Sequence, residues 1–497
     1  MSLFRKKSLD SLMAQAADSE KGLKRTLGAW SLIALGIGAI IGAGLFVRTA
    51  AAAGEHAGPA VTISFMVAAL GCCFAGLCYA EFASMIPIAG SAYTYAYTTM
   101  GELVAWIIGW ALVLEYALGA ATVSISWSEY LNKLLAVFGT QVPFEWSHSP
   151  FERYLDAAGV MHHGIINIPA LIILALLSLL LMKGTEESAT VNSIIVVVKV
   201  SIVLIFIALG WSFINPANHH PYVIPADAPA AQLRDGTLYS YENFFRHGWG
   251  GILSGAGIVF FAFIGFDAVS TAAQEAKNPA RDMPRGILGS LVICTILYVL
   301  FSWVLTGVAP YTDFVKSGKE ASVAYAIETY MHGYHWLSTL VTVAILAGFS
   351  SVILVMLLGQ SRVFYTMATD GLLPKVFCEL HPKWRTPYKS NMLLFLFVGL
   401  FAGFVPESVA GNLTSIGTLF AFILVSIGVV ILRKADPNRP RPFKTPLVPV
   451  VPILGVLVCA AMIIGLDSAT QITALIWMVI GLIIYFGYSK NNSRLKA

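Results

Sequence analysis

The stretch Gly36-Ile37-Gly38-Ala39-Ile40-Ile41-Gly42-Ala43-Gly44-Leu45-Phe46 lies in the middle of an apolar run over 30–53. A run of that length and character can span a bilayer, which takes about 20 predominantly apolar residues. Its glycines argue against a plain spanning helix, because each costs about 1 kcal/mol against alanine in a helix interior. Small residues also let membrane helices pack closely, so this run alone leaves packing and interruption both open. A second run shifts the balance. Phe260-Phe261-Ala262-Phe263-Ile264-Gly265-Phe266-Asp267, with Gly255 and Gly257 one to two turns earlier, interrupts the apolar segment 249–272 at a similar depth. Where both helices unwind, free N–H groups of the first break suit a carboxylate. The freed carbonyls of both breaks suit an ammonium.

Around these two runs the chain is built for lipid. Of its 497 residues, 57% are hydrophobic and 12% charged, and the mean hydropathy is +0.75. An ordinary soluble domain carries about 25% charged residues, so the excess apolar surface must face hydrocarbon. The net charge of +4 is small, and no basic run interleaved with aromatics marks a nucleic-acid partner. Twelve apolar segments have the character of spans: 30–53, 60–86, 102–137, 165–182, 191–214, 249–272, 286–309, 337–367, 390–405, 412–433, 449–467 and 471–488. The first is too long for a cleaved signal segment. The expected fold is an all-α polytopic membrane protein.

Lysine and arginine placement orients it. With the N-terminus inside, 23 of the 31 fall on inward segments and seven on outward ones, and the one that remains, Lys199, lies within a span. Both termini are then cytoplasmic, with tails 1–29 and 489–497. Nine of ten histidines fall outside, scattered without metal-ligand spacing. Five of the six cysteines lie in apolar segments and Cys378 in a short polar loop, so no disulfide framework is expected. Two halves of five spans, 30–214 and 249–433, would have opposite topology, with 449–488 adding two more. The broken helices 1 and 6 open the two halves.

Ionisable residues at membrane depth mark function or a partner by default. Lys199, in Asn192-Ser-Ile-Ile-Val-Val-Val-Lys199, lies eight residues into its segment, too deep to snorkel easily. Glu115 is the second such group. Asp267, Glu81 and Arg362 lie nearer the inner half and read as gate or helix-end contacts. No His-Glu-x-x-His or Gly-x-Ser-x-Gly motif points to an intramembrane enzyme, and no ring of charge points to a channel.

The motifs resemble those of the amino acid–polyamine–organocation (APC) superfamily, and in particular bacterial relatives of the cationic amino acid transporters. Ile40-Ile41-Gly42-Ala43-Gly44-Leu45-Phe46 and Phe261-Ala262-Phe263-Ile264-Gly265-Phe266-Asp267 are similar to the helix 1 and helix 6 motifs. Glu115-Tyr-Ala-Leu-Gly-Ala-Ala121, Glu275-Ala-Lys-Asn-Pro279 through Ile287, and Arg362-Val-Phe-Tyr365 through Pro374 are further matches. Where many relatives carry a Glu-Glu pair this chain has Gln274-Glu275, a departure from the family's pattern. The resemblance implies a LeuT-like 5+5 inverted repeat with discontinuous helices 1 and 6 plus two extra helices, in the inner (plasma) membrane, with no cofactor.

It further implies an amino acid and a proton as partners. The N–H groups of Ala43 and Gly44, beside Gly42, would hold the substrate carboxylate. Carbonyls of Ile40, Phe261 and Ile264 would hold its ammonium. The Phe261 ring would close over it, with Asp267 in the inner gate. Lys199 resembles the ammonium that proton-coupled members place between helices 1, 5 and 8, where sodium-coupled relatives hold sodium. Glu115 is the second candidate for proton coupling. Cationic-specific relatives resemble a serine at Met356, so a methionine there favours a small neutral substrate such as alanine over arginine, lysine or ornithine. Some relatives have fourteen spans. A membrane lipid or a small accessory membrane subunit would fill the space left here.

Overall fold

The computed structural model describes residues 5–8, 27–86, 91–156, 158–183, 189–271, 276–316 and 322–495; Gln274 and Glu275 lie outside these. The main helices are α1 (Ala29–Ile40), α2 (Val61–Met85), α3 (Glu102–Val137), α4 (Ile168–Lys183), α5 (Ala189–Gly210) and α6 (Gly248–Val259). They continue with α7 (Pro279–Val308), α8 (His335–Thr369), α9 (Tyr388–Phe404), α10 (Glu407–Ala435), α11 (Val450–Gly465) and α12 (Ser468–Ile484). Among the described residues, seven helical runs are long and apolar enough to cross a bilayer, and five apolar helices are shorter. Both α1 and α6 are in the shorter set, since each stops at its break.

The first expected span divides where the glycines cluster. Ile41 follows α1 with an extended ψ of 108°, and the helix resumes through a π turn at Gly44–Arg48. In the sixth, α6 tightens into a 3₁₀ turn at Phe260–Phe263 before Ile264 turns extended with ψ 135°. Gly265 then takes φ +110°, a left-handed conformation that other residues rarely adopt. Gly255 and Gly257 lie inside regular α6; they let Ser64 and the Met462 carbonyl approach.

Two boundaries differ from the hydropathy reading. α7 begins at Pro279 rather than 286 and α10 at Glu407 rather than 412. Their first turns are polar, and Pro279 presets φ at the start of α7, so hydropathy alone begins both too late. The all-α expectation also omits two short antiparallel ribbons in the connections, Arg153–Leu155 with Met161–His163 and Ala231–Gln232 with Leu238–Tyr239.

Packing sorts the helices into groups. α1 and α2 pack against α7, and α2 also against α6. α3, α4, α8 and α9 form a second mutually packed set. α5 runs against α1, α7 and α8, while α10 runs against α2, α3 and α11. Each set thus holds helices together with their counterparts five positions later. The two ends of the chain meet on one face: Arg5 donates to the Leu495 carbonyl at 2.8 Å, and Lys7 pairs with Asp370, just after α8, at 2.8 Å.

Candidate functional site

The two helix breaks touch. A Cβ placed on Gly44 would lie 2.2 Å from the Ala262 Cα and 2.5 Å from its nitrogen. One on Gly265 would lie 3.0 Å from the Ala39 carbonyl oxygen. The Gly42 carbonyl accepts from the Leu45 N–H at 3.1 Å and from Phe46 at 3.4 Å, so helix restarts at Gly42. The N–H groups that open such a helix, here those of Ala43 and Gly44, have no intrahelical acceptor. A restarted helix end therefore faces the 3₁₀ turn that carries Phe261, and Ile264 closes that turn by donating to the Phe261 carbonyl at 3.3 Å.

Tyr298 of α7, which the sequence reading did not single out, joins the breaks. Its hydroxyl lies 3.1 Å from the Ile40 carbonyl and 2.9 Å from that of Ala262. One hydroxyl proton serves two acceptors, so the two breaks share one clasp. The Ile40 carbonyl, expected to face a ligand ammonium, thus already has a donor on one side and keeps a second lone pair.

Lys199 of α5 is buried, with 2% of its surface exposed. Its ammonium donates to the Gly38 carbonyl of α1 at 2.9 Å, two residues before the break. Its stem lies on α8, where a Cβ on Gly348 would come within 2.8 Å of Lys199 Cε. The side chain thus occupies the junction of α1, α5 and α8.

One face of α8 continues past that junction toward the other candidates. Val352 lies against Gly42, at 3.2 Å from the position of a Cβ there. Met356 sulfur lies 2.8 Å from where a Gly119 Cβ would be, beside Thr414 of α10. Gly359 approaches the Tyr116 ring. Residues 348, 352, 356 and 359 follow helical spacing on one face. Val352, not Met356, meets the break; Met356 lies one turn further along.

Beyond Met356 lie two carboxyl groups. Glu115 is on a π turn at Leu114–Leu118 and lies beside Asp267. Tyr116 donates to Asp267 Oδ2 at 2.9 Å, and all three side chains are buried. Single π turns recur at functional sites, and both in this region, at Gly44–Arg48 and Leu114–Leu118, flank the breaks. Asp267 follows the second break directly.

Buried ion pairs frame the region. Arg48 pairs with Glu407 at 3.3 Å and donates to Asn412. Glu81 accepts from Arg433 Nε at 3.1 Å and Nη2 at 2.7 Å, and from the Thr445 N–H at 2.7 Å. This places Glu81 in a tie between α2, α10 and the segment before α11. Arg362 is exposed on α8. Tyr79 meets Tyr95, Phe266 and Phe422 edge to face, and Phe266 lies tilted against Phe422.

Over residues 27–487 the sequence matches the amino acid permease family. It is 44% identical over 494 residues to a branched-chain amino acid permease of Bacillus subtilis (strain 168), covering 99% of both chains. It is 39% identical over 494 residues to a methylthioribose transporter of the same organism, again over 99% of both. To the vacuolar cationic amino acid transporter 4 of Arabidopsis thaliana it is 34% identical over 438 residues, covering 88% of this chain and 68% of that one. A match that runs nearly end to end, on helices this apolar, leaves one conclusion: the chain belongs to the amino acid permease family of the APC superfamily and is a multi-pass membrane transporter.

Proposed function

We propose that this permease imports a small neutral L-amino acid, alanine foremost, together with a proton, by alternating access. The contact of the two helix breaks at Gly44 and Ala262 carries this reading. With the breaks in contact, the N–H groups of Ala43 and Gly44 would hold the carboxylate of one α-amino acid, and the carbonyls of Phe261 and Ile264 its ammonium. Gly42, Ile40 and the Phe261 ring complete the cradle. Twelve spans in a LeuT-like 5+5 inverted repeat, 30–214 and 249–433, with 449–488 appended, are supported by packing sets that pair helices five apart. The plasma membrane is what the family resemblance implies; lysine and arginine placement supports cytoplasmic termini, and the two described ends lie on one face.

Val352 and Met356 form an apolar wall that suits an aliphatic side chain, and the 44% identical branched-chain permease favours the same class. The cationic reading draws on the plant relative and on Glu115 and Asp267 beyond Met356. Competition against labelled alanine in proteoliposomes separates the two. Valine and leucine should compete, arginine and methylthioribose should not, and amines lacking the carboxylate should fail. Met356→Ser should open the way to the two carboxyl groups and raise arginine competition about tenfold or more, within the roughly 1–3 kcal/mol that a methylene is worth in such a pocket. Strong arginine competition in the unmodified protein would establish the cationic reading instead.

Tyr298→Phe keeps the ring packing against Phe65 and Phe263 but removes the clasp on both breaks. The one shared hydrogen bond is worth about 0.5–1.5 kcal/mol net. Alanine affinity should fall about two- to tenfold, with a small drop in the thermal unfolding temperature without ligand. Unchanged affinity by a thermal-shift titration would place the clasp outside the binding machinery.

A further inference from the structure

On the face where α7 begins, a groove of about 840 Å³ runs between α1 and α7, lined among others by Trp30, Ile33, Arg281, Arg285, Leu288 and Phe443. Its chemistry changes along its length. Arg281 and Arg285, one helical turn apart, are both exposed and form no ion pair among the described residues. Lys277 and Lys444, next in sequence to the lining residues Asn278 and Phe443, are exposed too. The nearby acid, Asp282, accepts from the Asn278 N–H at 3.2 Å at the start of the helix. Past the arginines the same face of α7 is apolar, with Val292 58% and Ile296 56% exposed.

α7 has 30 residues, roughly 45 Å at about 1.5 Å per residue, against a hydrocarbon core of about 30 Å. Its first turns therefore stand at head-group depth. Trp30, 79% exposed beside them, is the residue type that gathers at that depth. Only one class of ligand matches both halves of the groove: an anionic group for the guanidinium pair and a hydrocarbon chain for the stripe beyond. A free phosphate would leave the stripe bare. A zwitterionic lipid would bring its own ammonium up to the arginines.

We propose that the groove between α1 and α7 binds an anionic phospholipid, its phosphate on Arg281 and Arg285 and an acyl chain along Leu288, Val292 and Ile296. Resting on the alternating-access reading, the lipid then braces α1, the half-helix that ends at the substrate cradle, against α7.

The test titrates detergent-purified protein with phosphatidylglycerol and with phosphatidylcholine and counts bound lipid by native mass spectrometry. Phosphatidylglycerol should be retained in preference. Arg281→Ala with Arg285→Ala should weaken that retention about 30-fold, the loss expected for two surface arginines facing an anionic leaflet. Lysine at both positions should restore most of it. Equal retention of the two lipids, indifference to the alanine pair, or displacement of phosphatidylglycerol by inorganic phosphate would each overturn the proposal. Alanine uptake in phosphatidylcholine vesicles with and without phosphatidylglycerol is a separate arm. A rise with phosphatidylglycerol that the alanine pair abolishes supports the brace. Retention without that rise confines the lipid to binding and removes the brace, and retention itself does not depend on the transport reading.

Discussion

Gly44→Val is expected to abolish alanine uptake and binding while the protein remains folded and membrane-inserted. The reason is geometric. Even the Cβ of alanine at position 44 would lie 2.2 Å from the Ala262 Cα and 2.5 Å from its backbone nitrogen. Those atoms belong to the second break, so no rotamer change relieves the overlap and the two breaks must move apart. Ordinary overpacking in a core costs about 1–3 kcal/mol. Here the displaced backbone adjoins the groups proposed to read the substrate, so the loss appears in binding, at least a hundredfold by the scale of about 1.4 kcal/mol per tenfold. Gly28→Ala is the control, since a Cβ at Gly28 meets nothing within 4 Å. The measurements are labelled alanine uptake, thermal shift with alanine, and elution as a monodisperse species. Gly44→Val that still takes up alanine at the parental rate would sink the cradle.

Much of this is legible in the sequence. Glycines cannot be placed at mid-span without a reason, and the reason at Gly44 and Gly265 is contact and a left-handed turn. Lys199 was legible because hydrocarbon makes a buried charge conspicuous. Tyr298 was not: in Leu297-Tyr298-Val299 nothing tells a tyrosine that clasps two carbonyls from one that faces the interface. Ion pairs such as Glu81 with Arg433 join residues 352 apart, a separation that no local pattern encodes. Gly255 and Gly257 carry the reverse lesson, since composition grouped them with the break, whereas they serve close packing in regular helix. The α8 face was half legible. Met356 was named from the sequence, but that Val352 rather than Met356 meets Gly42 depends on helix rotation, which sequence leaves free.

Lys199→Ala is expected to eliminate alanine accumulation driven by a pH gradient while counterflow, which needs no gradient, persists. In the proposed mechanism the ammonium links a proton to the cradle, since it holds the Gly38 carbonyl at 2.9 Å, two residues before Ile40. With its proton it is a charged donor that fixes α1 against α5 and α8. Without it, the neutral amine offers a weaker donor, and α1 is freer to swing at the break. A hydrogen bond from a charged group is worth about 1.5–3 kcal/mol, enough to shift a two-state equilibrium about 10- to 150-fold. A fixed positive charge at this junction also repels sodium, so uptake should not respond to a sodium gradient. Alanine at 199 leaves the Gly38 carbonyl without its ammonium and the Gly348 side of α8 without its contact, so some loss of thermal stability is expected. Lys199→Arg tests the proton itself: it keeps a donor and a charge but does not give up its proton in proteins, so it too should abolish gradient-driven uptake. Accumulation that survives in either variant under a pH gradient alone removes Lys199 from the coupling step, and the carboxyl groups of Glu115 and Asp267 become the next to test.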